Sequence, residues 1–423
     1  MNIKVGVAGG LRNLLEPYRG FPGGVYVLFF ANVVNSLGNF VFPLLAILLT
    51  DKLGMSKAGA GFFIMISLVA YVPGSLLGGK LADHLGRKKV LVISRLLAAI
   101  TLLPCAFLGA SPAVAWLLIA NTVFNGAADP AITSTVTDLT SSKNRQSAFS
   151  LLYLGHNIGV AVGPMVAGLL YRHYFAWIFL GDALTTFLSL LLIGLYIGET
   201  LPDRAIIEAE SDELSANERA EDGGLVRALL KRPQLLLFSM VSVVYSFVYG
   251  QSMFGLPLQM QQLFGLEGPR LYGVLMSVNA LTVVTFTTLA IRLTSRFAAA
   301  RNIAVGGFFY AIGFGMIYLI GDLPMFAASA FIWTLGEIMV STNSQAYVAN
   351  NTPISHRGRF NAVLPVISGA GFAIGPWIMG RLVDQWGVRI IWPLCFFLML
   401  GASMLMLGLR GQERNAASDR VSG

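Results

Sequence analysis

Charged residues are scarce in this chain. Asp, Glu, Lys and Arg make up 12% of its 423 residues, whereas a soluble domain carries about 25%. Hydrophobic residues make up 55%, and the mean hydropathy is +0.70. This balance predicts a polytopic membrane protein. The net charge of +8 does not indicate nucleic-acid binding, because the cations fall in short loops between apolar runs.

Cysteine is almost absent as well. Cys105 and Cys395 both lie in apolar runs, so neither a disulfide framework nor a metal-ligand spacing is expected. The sequence has no nucleophile-base constellation and no Gly-Lys-Ser/Thr phosphate loop. We therefore expect no enzyme, no ATP-driven pump, no metal and no cofactor. Residues 1–24 lack a signal-peptide pattern, so the first apolar run is expected to serve as its own insertion signal.

Twelve apolar runs are long enough to cross ~30 Å of hydrocarbon. They cover residues 24–50, 58–79, 90–109, 113–137, 146–170, 174–198, 234–260, 270–292, 302–321, 324–349, 358–382 and 388–409. If all twelve are spans, 22 of the 29 Lys and Arg residues lie in the termini and in loops after even-numbered spans, against six after odd-numbered spans. The positive-inside rule then predicts that both termini are cytoplasmic, in a multi-pass protein of the cell membrane.

An internal repeat divides the chain into halves. A single constant shift along the chain, the repeat offset, lays Gly159, Gly163 and Pro164 onto Gly371, Gly375 and Pro376. The same shift lays Arg145 onto Arg357. One unchanged offset over separated motifs predicts two parallel six-helix repeats. We expect an N-terminal bundle at residues 1–198, a cytoplasmic linker at 199–233 and a C-terminal bundle at 234–423 with a short cytoplasmic tail.

The charged turn Gly79–Val90 carries the sequence GKLADHLGRKKV. It resembles the loop between the second and third helices in the major facilitator superfamily. This resemblance implies an all-α membrane protein with twelve transmembrane helices in two pseudo-symmetric six-helix bundles. It also implies a cytoplasmic latch that controls which way a carrier opens, formed by Gly79, Asp83, Gly86, Arg87, Asp138 and Arg145. The alternative is that the cations only set the topology.

Three carboxylates lie inside predicted spans, namely Asp129, Asp182 and Glu337. A charge at that depth costs ~2.5–3.5 kcal/mol on insertion scales, so it marks a candidate functional site. Glu337 follows Leu335-Gly336, an element that resembles span ten of multidrug:proton antiporters in the superfamily. The resemblance implies proton and cation binding at Glu337. The alternative is a structural glutamic acid, hydrogen-bonded to a neighbouring helix.

The remaining titratable groups are weaker candidates for proton coupling. Asp129 precedes Pro130, and it either carries protons or substrate or caps backbone freed by a kink. Relatives in the family often place an arginine where this chain has Thr122, so Asp129 lacks that partner on its own helix. His156 titrates near neutrality and is a further candidate. Asp182 is expected to pair with a neighbouring helix, and Arg95 to extend toward the cytoplasmic surface.

Polar stripes at helical spacing predict a cavity wall or a helix contact. The predicted cavity residues are Asn32, Asn35, Asn39, Asn125, Tyr153, Asn157, Tyr245, Tyr249 and Trp333. The repeated Gly-Pro elements resemble the antiporter signature of the superfamily. They predict hinge and packing residues at Gly159, Gly163, Pro164, Gly375 and Pro376.

Together these patterns predict a monomeric, proton-coupled secondary transporter that exports lipophilic or cationic drugs by alternating access. Its partners are a small-molecule substrate, protons and the bilayer. Alternatives are a carrier of a lysolipid, sugar or metabolite, or a non-transporting receptor or scaffold, in which the intramembrane carboxylates are dispensable. Peptides are disfavoured, because span one carries asparagines where peptide symporters of the superfamily show a glutamate- and arginine-rich motif.

Overall fold

The protein is helical throughout the part of the chain that the structure describes. This computed structural model describes residues 18–140, 144–201, 233–294, 296–351 and 357–421, and those residues contain no strand. Long apolar runs form helices because hydrocarbon offers no partner for backbone N–H and C=O groups, which must bond within the segment. The predicted all-α class is therefore confirmed.

The helices of the first half follow the predicted runs closely. They are α1 (Gly23–Leu37), α2 (Lys57–Leu85), α3 (Arg87–Cys105), α4 (Pro112–Asp138), α5 (Arg145–His173) and α6 (Ala176–Tyr196). Those of the second half are α7 (Pro233–Tyr249), α8 (Gly268–Thr294), α9 (Ala299–Met316), α10 (Leu323–Asn351), α11 (Arg357–Trp386) and α12 (Ile391–Val421). Each predicted run thus coincides with helical structure.

Eight segments of the described residues are long and apolar enough, by length and composition, to cross a membrane. One of them, Gln234–Thr294, takes in two predicted spans. The helices α3, α4 and α9 are not among the eight, because charged and polar residues interrupt their apolar sequences. The count of twelve membrane crossings stays a prediction.

Two predicted spans are broken where the sequence suggested continuous helices. The first span leaves α1 at Leu37 and resumes with a 3-10 turn at Phe42–Leu44 and a π-helical turn at Leu48–Lys52. The seventh leaves α7 at Tyr249, passes through a 3-10 turn at Gly250–Ser252 and resumes as an α-helix at Gly255–Phe264. The repeat offset lays Leu37 onto Tyr249, so the break itself follows the internal repeat. Glycine comes next in both, Gly38 and Gly250, each packed closely against a neighbouring side chain.

Contacts divide the chain into two compact units whose borders differ from the predicted halves. Unit 1 runs to Val41 and includes Val69–Gly163 and the segment from Tyr174 to Pro202. Unit 2 contains Phe42–Leu68 and Pro164–His173 together with the C-terminal half. The division into halves at 1–198 and 234–423 stays a prediction. The predicted linker lies outside the described residues beyond residue 201.

Close helix packing positions the polar groups of unit 1. Gly74 and Gly78 of α2 lie against the backbone of Val123 and Ala127 in α4. A side chain at either glycine would overlap those backbone atoms, so the helices can approach only because the Cβ is missing. This approach brings the middle of α2 beside the polar face of α4.

The core of unit 2 is aromatic. The ring of Phe314 in α9 stacks on Trp333 of α10 at 5.3 Å between centroids and on Trp392 of α12 at 6.4 Å. Both tryptophans are fully buried. These contacts hold α9, α10 and α12 together and fix the rotation of α10, which carries Glu337.

Candidate functional site

Glu337 lies in a small polar cluster of unit 2. The hydroxyl of Tyr249 donates to Glu337 Oε1 at 2.9 Å, and the amide of Asn279 donates to Oε2 at 2.7 Å. Asn279 also donates to Thr334 Oγ1 at 2.9 Å. The side chain of Glu337 is half-buried. Both donors are uncharged, and the described residues provide no cationic partner for this carboxylate.

Two aromatic residues that were predicted to line the cavity belong to the packed core instead. Trp333 is 0% exposed, and Tyr245 is 4% exposed. The Tyr245 hydroxyl donates to the carbonyl of Ile303 at 3.2 Å and lies 3.3 Å from Ser403 Oγ. The prediction placed both on an accessible wall because helical spacing locates a face but not what covers it. Tyr249, half-buried and bonded to Glu337, remains beside the carboxylate.

Asp129 lies in a second polar cluster, in unit 1, and it is ion-paired. Arg95 Nη2 of α3 is 3.2 Å from Asp129 Oδ1, and the Tyr71 hydroxyl of α2 donates to Oδ2 at 2.6 Å. The Arg95 side chain is 19% exposed and that of Asp129 44%. The partner that the family places on span four, and that Thr122 cannot supply, therefore comes from the neighbouring helix.

The same guanidinium continues into the asparagine stripe of α4. Arg95 Nη1 donates to Asn125 Oδ1 at 2.9 Å, and Asn125 donates to Asn121 Oδ1 at 2.9 Å. Asn121 in turn donates to the carbonyl of Ala98 in α3 at 2.8 Å. The expectation that Arg95 extends to the cytoplasmic surface is wrong, because these acceptors hold it against α4. Sequence spacing cannot reveal a partner on a different helix.

Asp182 and His156 both lie near the break in the first span. Asp182 Oδ2 accepts the backbone N–H of Val41 at 3.5 Å, where the interrupted helix leaves amide groups without intrahelical acceptors. His156 Nδ1 lies 3.1 Å from Ser36 Oγ. Asp182 was expected to pair with a neighbouring helix, but its contact is with a backbone amide in the non-helical break of span one. A proton role for His156 stays a prediction.

The asparagines predicted to line the cavity make contacts with backbone or with other helices. Asn32 donates to the carbonyl of Leu152 at 2.8 Å, and Asn35 Oδ1 accepts from Thr186 at 3.3 Å. Asn157 is buried and donates to the carbonyl of Tyr153 in its own helix. Tyr153 itself is 52% exposed. Asn39 is half-buried at the break of span one. The helix-contact alternative thus describes Asn32 and Asn35, whereas Asn157 bonds within its own helix.

The repeated glycines pack helices closely, as the Gly-Pro elements predict. Gly159 and Gly163 of α5 lie against Ser36 and Leu37 at the end of α1. Gly375 of α11 lies against Phe247 and Gln251 of the seventh span. The carbonyls of Pro164 and Pro376 are each approached by a glycine of another helix, Gly273 and Gly61 respectively. Their function as hinges stays a prediction.

The charged turn forms a network within unit 1. Arg87 pairs with Asp83 and lies 3.4 Å, at Nε, from Asp138 Oδ2. Gly86 has a φ of +107°, a conformation that favours glycine. Gly79, also predicted to belong to the latch, is not tightly packed, because a Cβ at this position would lie 3.7 Å from the Pro130 side chain. The side chain of Arg145 lies outside the described part of the chain, and the control of opening by this network stays a prediction.

Glu199 completes this network, although the sequence reasoning assigned it to the linker. Its Oε1 accepts the backbone N–H of Arg87 at 2.7 Å, at the N-terminus of α3, and that of Thr200 at 3.0 Å. Burial by itself would raise the pKa of the Glu199 carboxyl. Hydrogen bonds from the backbone N–H groups of Leu201, Lys88, Arg87 and Thr200 lower the pKa by more than burial raises it, so the pKa is lowered overall. The sequence signal for this contact was that Glu199 directly follows span six and is therefore expected on the same side of the membrane as the positively charged turn.

Within the described residues, no group of three or more His, Cys, Asp and Glu side chains is placed to hold a metal ion. What the two clusters can do is bind and release a proton or a cation. A carboxylate with neutral donors serves that purpose directly, whereas one with a fixed guanidinium must first give up its partner.

The family model of the Major Facilitator Superfamily matches residues 28–363 and 268–420. The chain therefore belongs to the major facilitator superfamily of transporters, which are not enzymes. It is a multi-pass membrane protein that acts on small molecules.

Bacterial relatives match most or part of the chain. An uncharacterised transporter of this type, YttB of Bacillus subtilis, is 25% identical over 91% of this chain and 95% of its own length. A Na+, Li+, K+/H+ antiporter of Planococcus maritimus is 25% identical over 79% of this chain and 84% of its own. The multidrug resistance protein MdtH of Photorhabdus laumondii is 31% identical, but only over 37% of this chain and 39% of its own.

Solved structures agree in fold. A peptide transporter of the POT family, in complex with sulfate, aligns with a TM-score of 0.76 at 17% identity, over 93% of this chain and 96% of its own. The nucleoside transporter NupG aligns with a TM-score of 0.72 at 16% identity, over 92% and 99%. At these identities the likeness concerns the fold and not the substrate.

Proposed function

We propose that this protein is a proton-coupled secondary transporter that exports lipophilic cations, and that Glu337 is the group at which proton and substrate exchange. The supporting observation is the setting of Glu337, a half-buried carboxylate with two uncharged donors, Tyr249 and Asn279. A proton or an organic cation can neutralise this group without displacing any charge of the protein.

Competition for one carboxylate couples the two movements. When a proton occupies Glu337, the site is neutral and the cation leaves; when the cation binds, the proton is released. Alternating access then follows from movement of the two repeats around the site, as in other transporters built from repeats. The Arg87 network on the predicted cytoplasmic side would stabilise one of the two orientations.

Further aspects belong to the same proposal. The protein acts as a monomer in the plasma membrane, with both termini in the cytoplasm and with no nucleic-acid partner. Export, and not import, is favoured by the span-ten element Leu335-Gly336-Glu337 and by the partial similarity to MdtH.

Exchange of an alkali cation for a proton is a second candidate function. It is favoured by the similarity to the Planococcus antiporter over most of both chains. The cluster also offers hard oxygen atoms from Glu337, Tyr249 and Thr334, which suit small monovalent cations better than nitrogen or sulfur would. The two candidates differ in cargo and share the exchange site.

Everted membrane vesicles test this proposal. We expect respiration-driven accumulation of ethidium, abolished when the proton gradient is collapsed, and at least tenfold slower in Glu337→Gln. Glu267→Gln is the matched control, because it makes the same substitution in a carboxylate of the loop before α8, paired with Arg270 at 3.1 Å. Sodium- or potassium-driven proton release without ethidium movement would favour the second candidate. Unimpaired export by folded Glu337→Gln would exclude Glu337 as the exchange site.

A further inference from the structure

We propose that Arg95 is a built-in counter-charge that occupies Asp129 in place of a second proton, and so limits each transport cycle to one exchanged proton. This inference rests on the proposed function. It assigns a role to a residue that composition and spacing alone would place at the membrane surface.

The first argument is how Arg95 is held. One guanidinium nitrogen lies 3.2 Å from Asp129 Oδ1, and the other donates to Asn125 Oδ1 at 2.9 Å. The two acceptors are four positions apart on α4, one turn of helix, so they engage the planar fork of the guanidinium together. The Arg95 side chain is mostly buried. An arginine on the lipid side of α3 would have neither acceptor.

The second argument is the surroundings of the carboxylate. The described contacts of Asp129 with other helices come from Tyr71 on α2 and from Arg95 on α3. Tyr71 contributes a neutral hydroxyl, so Arg95 supplies the positive charge that balances Asp129. The pair is neutral as a whole, and a proton added to Asp129 would leave the guanidinium without its anion.

The third argument is the comparison between the two repeats. The repeat offset lays Asn125 onto Glu337 and Thr122 onto Thr334. The first repeat therefore has a neutral amide where the second has its carboxylate, and its own acid lies one turn further on, already paired. Of these two acids in corresponding helices, only Glu337 is without a fixed cation among the described residues.

The consequence concerns charge movement. If Glu337 alone exchanges, one proton enters for each monovalent cation that leaves, and no net charge crosses the membrane. If Asp129 also exchanged, two protons would enter for one cation, and one net positive charge would cross inward in each cycle. Removing the charge of Arg95 should therefore convert an electroneutral exchange into an electrogenic one.

Proteoliposomes with an imposed potassium diffusion potential measure this conversion. A pH gradient should drive ethidium transport by the wild type. A membrane potential without a pH gradient should change ethidium movement no more than it does in protein-free liposomes. In Arg95→Met, the imposed membrane potential should alter the steady-state ratio of ethidium inside to ethidium outside. The expected change is about 50-fold per 100 mV, the value for one net charge moved per cycle.

Two variants separate the charge effect from a structural one. Arg95→Lys keeps a cation beside Asp129 and should remain insensitive to the potential. The double variant Arg95→Met, Asp129→Asn removes both charges and should lose the sensitivity that Arg95→Met gained. A residue that only stabilises the fold would change the rate in all three variants without changing the response to the potential. If Arg95→Met does not fold, Arg95→Gln replaces it, since its amide can still donate to Asn125.

The outcomes separate the inference from the proposed function. A wild type that moves ethidium on a pH gradient and also responds to the potential overturns the role of Arg95 and leaves the proposed function intact. If Arg95→Met transports ethidium on a pH gradient but does not respond to the potential, the role of Arg95 is likewise overturned and the proposed function is left intact. A wild type that moves no ethidium on a pH gradient overturns the proposed function, and this inference with it.

Discussion

At the scale of single residues, their surroundings distinguish two of the three acids in the predicted spans, Glu337 and Asp129. Glu337 is bonded by a tyrosine hydroxyl and an asparagine amide, whereas Asp129 is paired with a guanidinium. Protonation of Asp129 would leave the mostly buried guanidinium of Arg95 without its counter-ion, which is unfavourable although the carboxylate itself is 44% exposed. An exchange site must avoid that cost in every cycle, which favours Glu337.

The hydroxyl of Tyr249 should matter for transport. Tyr249→Phe removes one of the two donors to Glu337, and a hydrogen bond to a charged group contributes about 1.5–3 kcal/mol. We expect ethidium transport to fall by about tenfold or more in vesicles, with the protein still folded.

Tyr245→Phe is the matched control for this variant. Tyr245 lies on the same helix, and its hydroxyl bonds to Ile303 and Ser403 and not to Glu337. Its loss should lower thermal stability in detergent without a comparable loss of transport. Equal transport losses in the two variants would argue against a role for the Tyr249 hydroxyl in the exchange.

The carboxylate of Glu199 gives a pH-dependent stability. Its pKa is lowered in the folded protein, so its contribution is present above the unfolded pKa, about 4.3, and is lost as the pH falls through the folded value. Glu199→Gln should therefore melt below the wild type at neutral pH, and the difference should shrink as the pH falls below about 4. A difference that grows on acidification would contradict this assignment.

The internal repeat governs packing at the scale of helices. Gly61 of α2 lies against the carbonyl of Pro376 in α11, and Gly273 of α8 lies against that of Pro164 in α5. The two glycines are one repeat offset apart in the sequence, and so are the two prolines. Unit 2 therefore contains the same glycine-on-carbonyl contact twice, once in each pair of helices.

A larger side chain at either glycine should force these helices apart. Gly273→Leu places atoms where the backbone of Pro164 and Met165 lies, and overpacking costs about 1–3 kcal/mol or more. We expect the midpoint of thermal unfolding in detergent to fall by several degrees. Gly401→Leu on α12 is the control, because the space around Gly401 is open. Equal shifts in the two variants would show that the contact at Pro164 is not tight.

At the scale of the whole molecule, the distribution of positive charge predicts the orientation in the membrane. The loop after α9 lies on the predicted outer side, and the segment after α6 on the predicted inner side. Gly321 and Gly198 occupy these two places, each with open space around it. They form a matched pair of positions for labelling.

Single cysteines at the two positions should report opposite sides. Gly321→Cys should react with a membrane-impermeant maleimide in intact cells, and Gly198→Cys only after permeabilisation. The native Cys105 and Cys395 are buried, so the background should be low. Labelling of Gly198→Cys in intact cells would contradict the predicted orientation and the direction of export that depends on it.

The sequence by itself determined the helical class, the position of the helices and the internal repeat. The helical class and the position of the helices follow from local composition, because a long apolar run in hydrocarbon must satisfy its own backbone and therefore forms a helix. The repeat follows from residue identities that recur at one offset. The charged turn and the three intramembrane acids were likewise visible as breaks in an apolar background.

Only the tertiary structure decided which side chains meet. Arg95 finds Asp129 on another helix, Trp333 turns into the aromatic core, and Glu199 bonds amides far earlier in the chain. Helical spacing gives the face on which a residue lies, but the packing of neighbouring helices sets what that face touches. The partner of each buried acid, and hence its chemistry, was decided there.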